Sequence, residues 1–401
     1  MNSPMTSGAL EGIKVLEMAQ LYAGPGSAMY LADMGADVIK VEPPEGDHIR
    51  TMYSTPSLGR QSKPFQVLNR NKRSVVVDIR TPAGREVIYR LAAHCDVMIN
   101  NFRPGVAERL RLDYPTMERI NPRLVYAHLS GFGDVGPMAH KPGIDLVIQA
   151  HAGVMASRRM PDGRPIAAPV AVADLSTAML LAYGITLALL ARERTGHGQR
   201  VDTCLLGAAI AMQAYQLVRV QGDSNLPGAA YALNNSYKCQ DGEYILFSIT
   251  TDKHWRALCA ALDLDHLVDN PAFATFDQRV QNSTDLFAVL EAVLGTRPSG
   301  EWIKRLEERD IPCAVIQSRA KALDDPQVRQ NGLVIDVTDP AGRRTSMMGI
   351  PLKLSRTPGS VRSCAPKLGQ HTAEVLQEAG YTLTEIQALA QQGVIRLPQE
   401  G

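Results

Sequence analysis

The chain has 401 residues, 45% of them hydrophobic and 21% charged, a balance that excludes disorder and leaves one large domain or two smaller ones. Lysine and arginine number 42 against 41 aspartates and glutamates, so no overall field directs it to nucleic acid or a membrane surface. The six cysteines are scattered without a CxxC pair and the histidines are unclustered, which argues against a metal site or a disulfide framework and fits a cytoplasmic setting. Met1 to Gly8 is small and polar, unlike a signal peptide. The most apolar run, Ala178 to Ala191, is shorter than the roughly 20 residues of a membrane span and reads as a buried core helix.

Taken in chain order, short apolar strands alternate with helical stretches. Ile13 to Glu17 predicts a strand, the AGPG turn follows at Ala23 to Gly26, Ser27 to Met34 a helix, and Val38 to Glu42 the next strand. Val75 to Ile79 predicts a third strand and Pro82 to Ala93 a helix, opened by a proline at its first position. Asp96 to Asn100, Leu124 to Leu129 and Arg200 to Thr203 supply further strands, the last after a long helix ending near Thr195. This alternation predicts a parallel, doubly wound α/β sheet. Beyond Asn235 the texture changes: a DGEY turn feeds the strand ILFSI, Trp255 to Leu262 and Trp302 to Glu308 are helical, and Cys313 to Gln317 is a strand. The expected organisation is a large Rossmann-like domain in 1–221, a linker in 222–235, a small α+β domain in 236–325, and a linker returning to the large domain in 326–401. Ala320 to Met348 reads as a long connector, and the tail is loop-rich until a helix over Thr372 to Glu378. No internal repeat is visible.

The strand, the turn GPGSAM and the following helix match part of a dinucleotide fingerprint, with Glu42 ending the next strand. Met29 stands where the third glycine belongs and Pro25 separates the first two. The turn is therefore ordinary α/β punctuation, with an NAD-type oxidoreductase kept as a competing reading.

Longer phrases carry more: LEGIKVLEMAQLYAGPGSAMYLADMGADVIKVEPPEGDHIR, NRNKRSVVVDIRTPAGRE, NNFRPGVAERL, NPRLVYAHLSGFGDVGP, GIDLVIQAHAGVM, VADLSTAMLLAYGITLALLARERTGHGQRVD and DGEYILF. In this order they resemble the class III CoA-transferase family, which includes formyl-CoA and carnitine CoA-transferases and related acyl-CoA racemases. The resemblance implies a Rossmann-like domain built from both chain ends, a smaller domain between, and an interlocked homodimer. It also implies acyl-CoA and carboxylic acid substrates, with coenzyme A as co-substrate and no metal.

Within that resemblance Asp174 matches the family's nucleophile, which would form a mixed anhydride and then an aspartyl-CoA thioester. By itself the residue reads as a helix N-cap, and the two roles are compatible, since a helix N-terminus favours the attacking carboxylate. Asp145 is either a supporting carboxylate beside it or a capping residue after Pro142-Gly143. The family's racemases carry a histidine just before this aspartate; here Ile144 cannot take a proton, and His140 and His151 are out of register. Racemase is thus the alternative rather than the leading reading. Leu21, Tyr22, Ala23, Lys72, Asn101, Phe102, Arg109 and, more loosely, Lys141 match positions that contact CoA. Three have another reading: core for Phe102, a solvated loop charge for Lys72, a surface ion pair for Arg109. Arg158 and Arg159 replace a threonine-glycine stretch common in relatives; they and Arg50 are candidates for gripping a dicarboxylate such as succinate, or are solvated charges. The glycine-rich loop that formyl-CoA transferases place over the site is missing, with GAAYALNNSYK in roughly that stretch.

Overall fold

The computed structural model describes residues 8–55, 61–218, 220–221, 232–339 and 341–398. Its longer strands are β1 (Lys14–Glu17), β2 (Asp37–Glu42), β3 (Lys72–Val77), β4 (Val97–Asn100), β5 (Val125–Ser130) and β6 (Arg200–Cys204). These are followed by β7 (Asn234–Lys238), β8 (Tyr244–Ser248), β9 (Cys313–Val315), β10 (Val334–Thr338), β11 (Arg344–Met348) and the short β12 (Ile395–Arg396). One sheet runs in the order β12-β3-β2-β1-β4-β5-β6. Every neighbouring pair is parallel except β12, which runs antiparallel to β3.

Strand periodicity of two sends alternate side chains to opposite faces. Val15, Val97, Ile99, Val125, Ala127 and Leu129 enter one core with the helices α1 (Ala23–Asp33), α5 (Val172–Thr195) and α6 (Leu205–Ala211). Leu16, Met98 and Tyr126 enter another with α2 (Pro82–Ala93) and the helix Thr372–Glu378. Both faces being covered explains the consecutive buried apolar residues Val15 and Leu16, Val75 to Val77 and Val97 to Ile99. Two short helices complete the labels used here, α3 (Val106–Leu110) and α4 (Asp145–His151). The α/β architecture predicted from the alternation is therefore present, and its strand order reverses between β1 and β4, where a crevice opens at the carboxyl ends.

The chain divides into two compact units, Met1–Val218 with Arg329–Gly401, and Arg219–Val328. The second holds the antiparallel sheet β9-β8-β7 and the helices Asp252–Ala261, Ser283–Leu294 and Ser299–Glu307 around buried Trp255, Trp302, Tyr237 and Phe247. The Trp302 indole N–H donates to the Leu294 carbonyl at 2.9 Å, which satisfies its one polar atom inside that core.

Several local expectations need correction. Helix α1 starts at Ala23 rather than Ser27, so the two glycines lie in its first turns and not in a phosphate-binding loop. A Cβ on Gly26 would stand 2.9 Å from the Ala178 Cβ of α5, and the absent side chain lets the two helices pack closely. Ala320 to Met348 is no plain connector: it contains the helices Arg319–Asp324 and Pro326–Gln330 and the β10-β11 hairpin. Of the expected linker, 222–231 lie outside the described residues, as does the start of GAAYALNNSYK, while Asn234 and Asn235 already belong to β7. Helix α5 is longer than its most apolar run and is long and apolar enough, by length and composition, to cross a membrane. Leu181, Ile185 and Leu189 on its inner side lie in the core, but Leu175, Met179, Tyr183, Leu187 and Leu190 are exposed. It is half a core helix.

Candidate active site

The crevice between β1 and β4 is a cavity of about 720 Å³, lined from the carboxyl ends of β1, β4 and β5 and from the start of α5. The first wall is the turn Ala19 to Ala23. Leu21 holds a left-handed backbone (φ 70°), a conformation that costs a non-glycine residue about 1–2 kcal/mol and needs support. Asn101, just past β4, supplies some: its carbonyl oxygen accepts from the Gln20 N–H at 3.1 Å and its amide donates to the Gln20 carbonyl at 2.9 Å.

More support comes from a lattice of buried ions. Lys40 meets Glu17 at 3.0 Å and Asp47 at 2.9 Å, and donates to the Ala19 carbonyl at 2.9 Å. Lys72 meets the other oxygen of Glu17 at 2.6 Å and donates to the Pro25 carbonyl at 2.8 Å. Asp47 in turn accepts from the Leu21 N–H at 3.3 Å. Burial works against the charge on Lys40, yet Glu17, Asp47 and Glu42 together raise its pKa. Burial pushes Lys72 down to about 8, against the opposing attraction of Glu17.

The far wall carries two carboxylates. Asp174 is the third residue of α5, and no side chain of the residue preceding that helix caps it. It is therefore not the N-cap that its sequence context predicts. The cap comes from another helix: an oxygen of Asp145, at the first position of α4, accepts from the N–H groups of Ala173 at 2.8 Å and Asp174 at 3.1 Å. Asp145 thus caps a helix other than the one it begins, unlike the local cap expected after Pro142-Gly143, and shares the cavity lining with Asp174. No lysine or arginine pairs with either acid among the described residues. Burial, and after it the negative charge of Asp145, push the half-buried Asp174 up to about 7. Tyr22 is raised by burial, then by Tyr53 and Asp174.

Of the residues singled out from the sequence, Leu21, Tyr22, Ala23, Asn101, Phe102, Lys141, Asp145 and Asp174 line this one cavity. The others do not. Lys72 opens strand β3 with its ammonium wholly enclosed by Glu17, Pro25 and Asn69, so it is neither a loop charge nor open to a ligand in this structure. Arg73 beside it faces outward and is held by Asp37 and Glu378. Arg109 is exposed on α3 outside the lining. Arg50 is engaged by both oxygens of Glu42 at 2.6 Å and lies over the Phe65 ring at 4.0 Å. Arg158 and Arg159 are exposed on a small loop in which Arg159 bridges to Pro165 and donates to the Gly163 carbonyl.

Sequence reasoning missed Gln20, Arg103 and Tyr53 of the lining, and the pair Gly131 and Gly143. A Cβ on Gly131 would come within 2.7 Å of the Gly143 backbone, and one on Gly143 within 2.6 Å of Gly131, so the loop after β5 and the approach to α4 touch where only glycines fit. It also missed Gln149, which the Asp145-x-x-x-Gln149 spacing on one helix face could have revealed.

The arrangement offers a carboxylate of raised basicity beside a largely apolar cavity, at the position in an open α/β sheet where ligands bind. Comparison with known proteins gives the chemistry a class. The profile of CoA-transferase family III matches residues 10–372. The chain is 34% identical to the mouse succinyl-CoA:glutarate CoA-transferase, over 96% of this chain and 90% of that one. It is also 34% identical to a formyl-CoA:oxalate CoA-transferase of Streptomyces avermitilis, over 96% and 99%. A crystal structure of the Mycobacterium tuberculosis protein Rv3272 superposes with a TM-score of 0.82 at 32% identity, covering 92% of this chain and 99% of that one. The oxidoreductase reading of the glycine turn is set aside, and the chain belongs to CoA-transferase family III, a family of enzymes that use CoA thioesters.

Proposed function

We propose that the protein transfers CoA from an acyl-CoA donor to a dicarboxylic acid through a covalent intermediate on Asp174. The observation that carries this reading is Asp174 itself: a half-buried carboxylate lining the cavity, paired with no cation among the described residues and pushed up to about 7 by burial and by Asp145. An acid with that proton affinity is ionised in a large fraction at neutral pH, and its ionised form is a stronger base than an ordinary carboxylate.

An oxygen of Asp174 attacks the thioester carbonyl, the carbon–sulfur bond breaks, and CoA leaves as thiolate with a mixed anhydride on the enzyme. The thiolate then attacks the aspartyl carbonyl, so the donor leaves as its carboxylate and CoA stays as an aspartyl thioester. The acceptor carboxylate repeats both steps in reverse. No proton is consumed, and water must be kept out for the thioester to survive. Gly131 and Gly143 line the cavity, and we assign their amides as donors to the oxyanion.

Support for a dicarboxylate acceptor comes from the relatives, whose names pair different donors with glutarate and oxalate, both dicarboxylic acids. Among the charged groups of the cavity, Arg103 and Lys141 are the cations available to a second carboxylate or to the phosphates of CoA. They take over the role expected of Arg50, Arg158 and Arg159, which line no part of it.

We also read the working form as a homodimer. The support is the exposed stripe of Leu175, Met179, Tyr183, Leu187 and Leu190 along α5, an apolar face that a symmetric contact would cover. Sedimentation should give twice the chain mass, and Tyr183→Glu should reduce it to one chain.

For the chemistry, the protein is incubated with succinyl-CoA or formyl-CoA, quenched with hydroxylamine and digested. A hydroxamate on Asp174, absent from Asp174→Ala, is the expected result. An unmodified Asp174 during measurable transfer would overturn the covalent route.

A further inference from the structure

Gln149 is fully buried one turn beyond Asp145 on α4, and both polar atoms of its side chain are bonded to the wall of the cavity. Its amide nitrogen donates to the second oxygen of Asp145 at 2.6 Å and to the Val170 carbonyl at 3.3 Å. Its carbonyl oxygen accepts from the Ala168 N–H at 2.9 Å. The orientation of the carboxamide is forced. Flipping it would set oxygen against the Asp145 carboxylate and the Val170 carbonyl, and N–H against N–H at Ala168. Ala168 and Val170 line the cavity, and the other oxygen of Asp145 already holds the amides of Ala173 and Asp174. One side chain therefore ties the approach to α5, the capping acid and the reacting acid into a single unit.

We propose that Gln149 is a positioning residue of the transfer reaction, holding the Asp145 carboxylate against the first turn of α5 and thereby setting how strongly Asp174 binds its proton. This rests on the reading of Asp174 as nucleophile only for its link to turnover; the geometric claim concerns the acid pair itself. A donor on Asp145 fixes the distance between two negative groups, and that distance governs the proton affinity of both. The titratable and charged side chains sharing the cavity with Asp174 are Tyr22, Tyr53, Arg103, Lys141 and Asp145. Of these, Asp145 is the one hydrogen-bonded to the Asp174 backbone.

The test follows the ionisation of Asp174 directly, through the carboxyl infrared band that disappears in Asp174→Asn. It is run on the full chain and on two Gln149 variants. Gln149→Glu keeps the shape, and as a protonated acid it gives its O–H to Asp145 in place of the amide N–H, so the Asp174 midpoint stays within about 0.3 pH unit of wild type. Gln149→Met removes the donor, frees Asp145 to turn from the α5 amides, and lowers the midpoint by about one pH unit, tenfold in proton affinity. The pH at which hydroxamate formation is half-maximal moves in the same way. A shift in Gln149→Met that Gln149→Glu restores is the signature of positioning, since a merely structural role changes the melting temperature of both variants and leaves the midpoint alone. An unchanged midpoint in folded Gln149→Met overturns the proposal. The infrared shift of Gln149→Met in a protein that forms no hydroxamate upholds it and sinks the covalent reading instead.

Discussion

Two groups of buried acids serve the same cavity and are built in opposite ways. Beneath the Ala19 to Ala23 turn, Glu17 bridges Lys40 and Lys72, Asp47 pairs with Lys40, and the remaining ammonium protons go to the Ala19 and Pro25 carbonyls and the Asn69 side chain. At the start of α5, Asp145 accepts from the Gln149 side chain and from the Ala173 and Asp174 amides, and neither it nor Asp174 pairs with a cation among the described residues. The first arrangement uses charge to fix a backbone in a strained conformation. The second leaves charge uncompensated, which keeps a carboxylate reactive. Similar side chains thus build a support in one place and a reagent in the other, and the presence of a buried lysine decides which.

Breaking the reagent should have the largest effect. Asp174→Ala is expected to lower the transfer rate by at least about a thousandfold, in a protein that still folds and binds CoA. Steady-state exchange and calorimetry measure the two halves, and residual turnover within tenfold of wild type would mean another nucleophile.

Breaking the support should act on stability. Glu17→Gln takes the paired acid from Lys72 and one of two from Lys40, and removing one partner of a buried ion network costs about 3–5 kcal/mol. Urea unfolding measures it. A loss under about 1 kcal/mol would show that the lattice is not what holds the turn.

A smaller, pH-dependent effect sharpens the contrast. Folded Asp174 binds its proton more tightly than the unfolded chain, which has the ordinary value of 3.8. Its contribution to stability is thus fully present below about 3.8 and is lost as pH rises through about 7. Asp174→Asn escapes that loss, so it should melt about 2–4 °C above wild type at pH 8 and with it near pH 4. A variant less stable than wild type at pH 8 would contradict the like-charge picture.

The smallest effect belongs to Arg158→Ala and Arg159→Ala. Both lie outside the cavity lining, and the KM for a dicarboxylate acceptor should stay within about twofold. A tenfold rise in either would bring that loop back into the site.

What the sequence made legible were features with short-range causes. The helix Pro82–Ala93 was readable because Thr81 and Pro82 terminate it locally: the Thr81 hydroxyl accepts from the Gly84 N–H at 2.9 Å. Asp174 and the walls of the cavity were readable through whole phrases resembling a family. Features with distant causes were not. Lys72 looked like a loop charge because Glu17, which encloses it, lies 55 positions away. Asp174 looked like its own cap because the acid that serves α5 sits 29 positions upstream of it. Glycines at Ala23 to Gly26 suggested a loop because nothing local shows that α5 must pass against them.

The last strand of the sheet has a bearing on synthesis. Ile395 and Arg396 close the β3 edge by pairing with Val77 and Val76, and the helix before them packs into the same core as α2. A ribosome has thus made the whole second unit before the first can cover its exposed edge. During that interval β3 presents unpaired backbone to solvent, so the nascent chain should depend on chaperones until Ile395 and Arg396 emerge.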